Sequence, residues 1–236
     1  MKIMYIKKKV LYIILIAIVT IVFLSFMRVG IRNKDSETFA RDIYYNGNID
    51  KKVIAFACNV DWGEEYIPKF LDILEEEDIS ITFFVTGKWA EKNETLLKEI
   101  YNRGHQIGNH GYSHRDYGRL SYELNKSEIE KCHNVVYNIL GIDCKYFAPP
   151  AGSFNDNTIK AADESNYDII MWSIDTIDWR EDTTEELIVQ RILTKADNSA
   201  IVLMHPKENT IKALPYVIKS LKKDGYYIGN ISDVIK

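Results

Sequence analysis

The 236-residue sequence predicts an α/β fold: a distorted seven-stranded (β/α) barrel, preceded by an N-terminal transmembrane segment. Three observations predict it. Short runs rich in apolar, β-branched and aromatic residues alternate with stretches of helical periodicity, which implies parallel strands covered by helices. The polar residues able to do chemistry fall at the C-terminal ends of those runs, where barrels and open α/β sheets carry their sites. An uncharged apolar stretch precedes them all.

In chain order, residues 1–9 form a basic cytoplasmic tail with Lys7, Lys8 and Lys9. Residues 10–27 (VLYIILIAIVTIVFLSFM) are apolar all round and reach the lower limit for crossing a bilayer. The lysines favour an inside N-terminus, a bias that Arg28 and Arg32 weaken without reversing. SFM before Arg28 is a poor cleavage site. These features predict a single-pass signal-anchor in the cell membrane with the following domain outside the cytoplasm, cleavage and secretion being the second choice. Residues 28–50 read as a linker with room for a first edge element. Residues 51–236 form the domain.

Within the domain, VIAFACN (53–59) is an apolar strand and 64–78 a helix with Ile67, Phe70, Leu71 and Leu74 on one face. SITFFVT (80–86) is a strand, 89–104 a helix stopped by Gly104, and HQIGN (105–109) a short strand. The helix over 121–141 closes at Gly141. KYFA (145–148) is a strand, 155–167 a helix, and DIIMWS (168–173) a strand. Thr183 and Glu186 have capping-box spacing at the start of a helix over 183–196. AIVLMH (200–205) is a strand, 210–225 a helix, and YYIGNIS ends the sheet.

Charge and cysteines narrow the function. The first 34 residues hold seven Lys and Arg and no acid; since the whole chain sums to −4, residues 35–236 carry −11. An acidic body argues against nucleic acid as partner. Cys58, Cys132 and Cys144 form no CxxC and no even set, so they read as packing thiols.

The strand ends carry Asn59 and Asp61, His110 and His114, the turn FAPPAGS, Asp175 with Asp178 and Trp179, and His205. Two histidines and a carboxylate (Asp61, His110, His114) suit Zn²⁺ or a similar divalent ion, with Co²⁺ as the alternative. His105 and His133 fall away from this mouth.

These residues resemble, in order, the motifs of the polysaccharide deacetylase family, the carbohydrate esterases with a NodB-like domain (carbohydrate esterase family 4). ACNVDWG stands for the first motif, HGYSH (110–114) for the second, APPAG (148–152) for the third, DTIDW (175–179) for the fourth and LMH (203–205) for the fifth. ITFFVTGKWAEKN, GHQIGNHGYSH and MWSIDTIDW are similar to its sporulation-associated branch. The resemblance implies a distorted barrel and metal-dependent hydrolysis of N-acetyl groups on amino-sugar polymers such as peptidoglycan or a chitin-like glycan.

It also implies roles. His205 is the candidate acid for the departing amine, held by Asp178. Asp61 is metal ligand or base, with ligand preferred. Trp62, Tyr112 and Trp179 offer apolar walls for the sugar or the acetyl methyl, or plain packing. Backbone N–H groups of the turn around Pro150 and Gly152 are candidates to hold an oxyanion. Two positions depart from the family. Asn59 occupies the place of the general base, and Ala148 that of the Arg that orients it. A divalent ion brings the pKa of bound water towards ~7, and losing a general base costs roughly 10²–10⁴-fold. The expectation is therefore a slow deacetylase or, alternatively, a catalytically inactive domain that binds glycan or metal.

Overall fold

The structure, a computed structural model, describes residues 18–20, which are helical, and 42–236. The basic tail 1–9 and most of the anchor 10–27 lie outside the described residues. Among those described, no helix is long and apolar enough to cross a membrane.

Among the described residues, nine short strands form one curled sheet: β1 Ile43–Tyr44, β2 Val53–Val60, β3 Thr82–Val85, β4 Gln106–Asn109, β5 Tyr146–Phe147, β6 Asp168–Ile170, β7 Ile174–Asp175, β8 Ile201–Met204 and β9 Tyr227–Gly229. Among the described residues of the domain, seven α-helices pack around it: α1 Ile67–Glu76, α2 Gly87–Lys92, α3 Glu94–Asn102, α4 Tyr122–Leu140, α5 Asp156–Glu164, α6 Glu185–Lys195 and α7 Glu208–Lys223. The strand order is β1-β6-β5-β4-β3-β2-β8-β7, with β9 on β2. Every pair of named strands is parallel. This is the curled parallel sheet of a (β/α) barrel.

Three expectations change in detail, and the first edge element that the linker had room for is present. The run 168–173 is not one strand: β6 pairs β5, and after residues 171–173 β7 pairs β8. One chain segment thus runs from β6, the neighbour of β1 at one edge, to β7 at the other edge. The expected linker contributes β1, which pairs β6 at Ile43↔Ile169 and then bridges Ala200 through Asn46. The helix over 89–104 breaks at Asn93 into α2 and α3. The capping residue of α6 is Thr184, which accepts from the Leu187 N–H; the Thr183 hydroxyl donates instead to the Ile177 carbonyl at 2.7 Å.

A period of two divides each strand between two cores. Ile54, Phe56, Cys58 and Val60 of β2 face the helices, with Phe83, Val85, Val202 and Met204. Ala55 and Ala57 face the barrel interior, with Phe84, Tyr146, Ala148, Ile170 and Ile201. Small residues on β2 make room for Phe84, which also lies over Gly108: a Cβ there would meet the Phe84 ring at 2.3 Å. Ile231 and Val234, in and just after a 3-10 turn beyond β9, close the bottom of this interior cluster. The next inward positions towards the strand C-termini are Asn59, His110, Trp172 and Leu203, and there the apolar plug ends.

Candidate active site

A pocket of about 340 Å³ opens above the plug, lined by Asn59, Asp61, Trp62, His110, His114, Ala151, Trp172, Asp175, Trp179, Leu203 and His205. It brings together most of the side chains singled out in the sequence, from six of the strand ends.

Asn59, the last inward residue of β2, is 4% exposed, and its Oδ1 has no hydrogen-bond partner among the described residues. A buried acceptor left unpaired is costly and uncommon. Two residues on, Asp61 lies on the same face, and its Oδ1 accepts from the Thr86 hydroxyl at 2.7 Å.

His110 is buried at the end of β4, with Nδ1 2.7 Å from the Ala148 carbonyl oxygen. Only a protonated Nδ1 can donate to a carbonyl, which leaves Nε2 with its lone pair. Burial, reinforced by His114, depresses His110 to about 3, so the ring is neutral near pH 7. Gly111 has φ 75° and His114 φ 51°, and the loop they bend brings the two imidazoles to a centroid separation of 5.2 Å. Two buried groups hold that loop. Asn109 accepts from the Gly111 N–H and donates to the Ile129 carbonyl, and Glu128 of α4 accepts from the N–H and hydroxyl of Ser113.

On the opposite wall, His205 Nδ1 is 2.7 Å from Asp178 Oδ1. Asp178 also accepts at Oδ2 from the His205 N–H and the Thr210 hydroxyl, both at 2.7 Å, and its side chain is fully buried. A carboxylate with three such partners fixes the ring and directs Nε2 away from itself. Trp62 stacks on the His205 ring at 5.7 Å and 11°. Gly63, at φ 84°, lets the Trp62 loop pass Pro206, whose carbonyl would lie 2.3 Å from a Cβ. The loop from Asp175 to Trp179 turns sharply: Asp175 Oδ1 accepts from the Ile177 N–H, and Ile177 sits at φ 54°.

Some expected contacts are absent. Tyr112 turns out of the pocket, because Gly111 redirects the chain; its hydroxyl donates to Glu91 at 3.1 Å. Pro150 and Gly152 do not line the pocket, whereas Ala151 between them does. The Gly152 and Ser153 N–H groups donate within their own turn, to Pro149 and Pro150, so they are not free for an oxyanion. Cys58 faces the helices, and burial pushes its thiol up, as a packing residue. Thr86, Thr210, Trp172 and Leu203 were not singled out. The last two sit on the inward phase of strands already identified, a signal present in the sequence; the threonines act through neighbours brought close only by folding.

Asp61, His110 and His114 match a divalent ion in donor type, with two imidazole nitrogens and a carboxylate. Among the described residues no three such side chains already stand as a formed ligand cluster. The three line one pocket without being drawn together, and the free Nε2 of His110 is consistent with a ligand role.

A family model for polysaccharide deacetylases matches residues 46–170. Uncharacterized protein YlxY of Bacillus subtilis is 37% identical over 84% of this chain, which spans 62% of that relative's length. Peptidoglycan-N-acetylmuramic acid deacetylase PdaA of the same organism is 30% identical over 82% of this chain and 75% of its own. Among solved structures, BA3943, a CE4 family pseudoenzyme from Bacillus anthracis, superposes with TM-score 0.80 at 36% identity, covering 84% of this chain and 70% of that one; a BA3943 mutant with restored enzymatic activity also has TM-score 0.80, at 35% identity over 84% and 72%. Polysaccharide deacetylases are hydrolases of non-peptide carbon–nitrogen bonds. With the motifs in order, the barrel-like sheet and these matches, this chain belongs to the polysaccharide deacetylase family, the NodB-like carbohydrate esterases of family 4.

Proposed function

We propose that the domain binds N-acetylated amino-sugar glycan of the cell wall, peptidoglycan or a chitin-like polymer, and that its hydrolysis of the N-acetyl group is weak or lost. The observation that carries this reading is Asn59. An amide takes up no proton near pH 7, and here it is buried with an unpaired Oδ1 at the place of the family's base. Its usual Arg partner is Ala148, which packs in the barrel interior. BA3943, a similar chain, is a pseudoenzyme, and a mutant of it has restored activity.

Asp61, His110 and His114 would hold a divalent cation, Zn²⁺ first and Co²⁺ second. When bound, the ion supplies Lewis-acid polarisation of the acetyl carbonyl. His205 keeps Nδ1 on Asp178 and offers Nε2 to the departing amine as proton donor. Trp62, Trp172, Trp179 and Leu203 give the pocket an apolar wall suited to the acetyl methyl and a sugar face. Among the described residues, no side chain lining the pocket is an Arg that could pair with a base there. The intact His205–Asp178 couple favours a second reading, slow deacetylation. The same proposal places the domain outside the cytoplasm on an anchor at residues 10–27, supported by the lysine-flanked apolar run, with a link to sporulation supported by the motif resemblance.

The test is acetate release from N-acetylglucosamine oligomers and from peptidoglycan, with Zn²⁺, Co²⁺ or a chelator. Asn59→Asp alone buries an unpaired carboxylate, so it is combined with Ala148→Arg. The double variant is expected to exceed the wild type by roughly 10²–10⁴-fold. Equal rates for the two proteins would overturn the proposal.

A further inference from the structure

Strand register decides which side chain stands beside Asp61. β2 and β3 run parallel with Val60 opposite Val85, and the Thr86 N–H donates to the Val60 carbonyl at 3.0 Å. The residue after each strand end is therefore a neighbour of the other. Thr86 follows Phe84 on the inward phase and is fully buried. It is also the N-cap of α2, its Oγ1 accepting the Trp89 N–H at 3.3 Å. That bond commits a lone pair, so the hydroxyl hydrogen is free to meet Asp61 Oδ1 at 2.7 Å. The start of a helix orients the hydroxyl, and the hydroxyl orients the carboxylate.

We propose that Thr86 is a positioning residue: it engages Oδ1 and leaves Oδ2 of Asp61 to serve as a single-oxygen ligand beside His110 and His114. Outer partners of this kind typically set metal affinity by about 10–100-fold. The inference rests on the ligand reading of Asp61 given above, and its test separates the two. Zn²⁺ dissociation constants are measured by calorimetry on the full chain in detergent, with thermal midpoints alongside. Thr86→Val is expected to weaken zinc binding about 10–100-fold. Thr86→Ser, which keeps the hydroxyl, is expected to bind like the wild type. Thr184→Ala removes the comparable N-cap of α6; it is expected to lower the midpoint and leave zinc binding unchanged. Zinc binding by Thr86→Val at wild-type strength, in a protein whose Asp61→Ala variant binds poorly, would overturn the positioning role alone. Wild-type binding by Asp61→Ala would remove the ligand reading and this inference with it.

Discussion

At the scale of single residues, the two walls of the pocket differ in how they are held. His205, Asp178 and Thr210 form a closed hydrogen-bonded set, the donor side in the function proposed above, whereas the buried Asn59 keeps an unpaired amide oxygen where that proposal needs an acceptor. Asn59, His110, His114, Asp178 and His205 were legible in the sequence because each follows a strand-like run, and strand ends deliver side chains to the mouth. Of the two readings open for Tyr112, sugar wall or plain packing, the structure places it outside the pocket lining, and spacing alone does not reveal that Gly111 turns the chain. Thr86 and Thr210 were invisible because a threonine gains its role from what the register puts beside it. His105 carries a pH prediction away from the pocket. Its Nδ1 accepts the Ile81 N–H at 3.2 Å, and burial, aided by the Arg103 cation, lowers its pKa from 6.5 to about 4. The unfolded chain then binds more protons than the folded one between those values. The contribution of neutral His105 is whole above about 6.5 and declines as pH falls towards 4, by about 2–3 kcal/mol. Urea unfolding from pH 7 to 4 should show this loss, with a shallower slope in His105→Gln.

At the scale of elements, the strands read correctly where an apolar run stays extended along its whole length, as in β2, β3 and β8. The run from Asp168 was misjudged because an apolar, β-branched sequence does not show where a strand changes neighbours. The helix break at Asn93 and the Thr184 cap are one-residue decisions settled by packing. The loops that shape the pocket hold left-handed backbone at opposite cost. Gly63 needs its φ of 84° and has the Pro206 carbonyl where a side chain would go. Gly63→Ala should therefore destabilise by about 1–3 kcal/mol, seen as a lower denaturation midpoint. Ala151 adopts φ 53° with a Cβ, so Ala151→Gly should raise stability by ~0.5–1 kcal/mol, strain relief exceeding the added chain entropy.

At the scale of the whole domain, the curled sheet is plugged by apolar side chains, with the candidate site at one end. Alternation along β2 was legible as an apolar run, but not which phase faced inwards, since both are buried. Phe84 fills the space left by Ala55, Ala57 and Gly108, so Phe84→Ala should cost about 3–5 kcal/mol, measured by urea unfolding. The larger consequence lies at the opposite end. Ile231 and Val234 are fully buried against the interior cluster, and the Val234 carbonyl accepts the Asn48 N–H beside the entrance to β2. These two apolar side chains reach the interior from the segment that follows β9, so the cluster is incomplete until that segment is in place. A nascent chain arrested before Ile231 emerges should stay protease-sensitive, however long it waits, and become resistant once Ile231 and Val234 have left the exit tunnel.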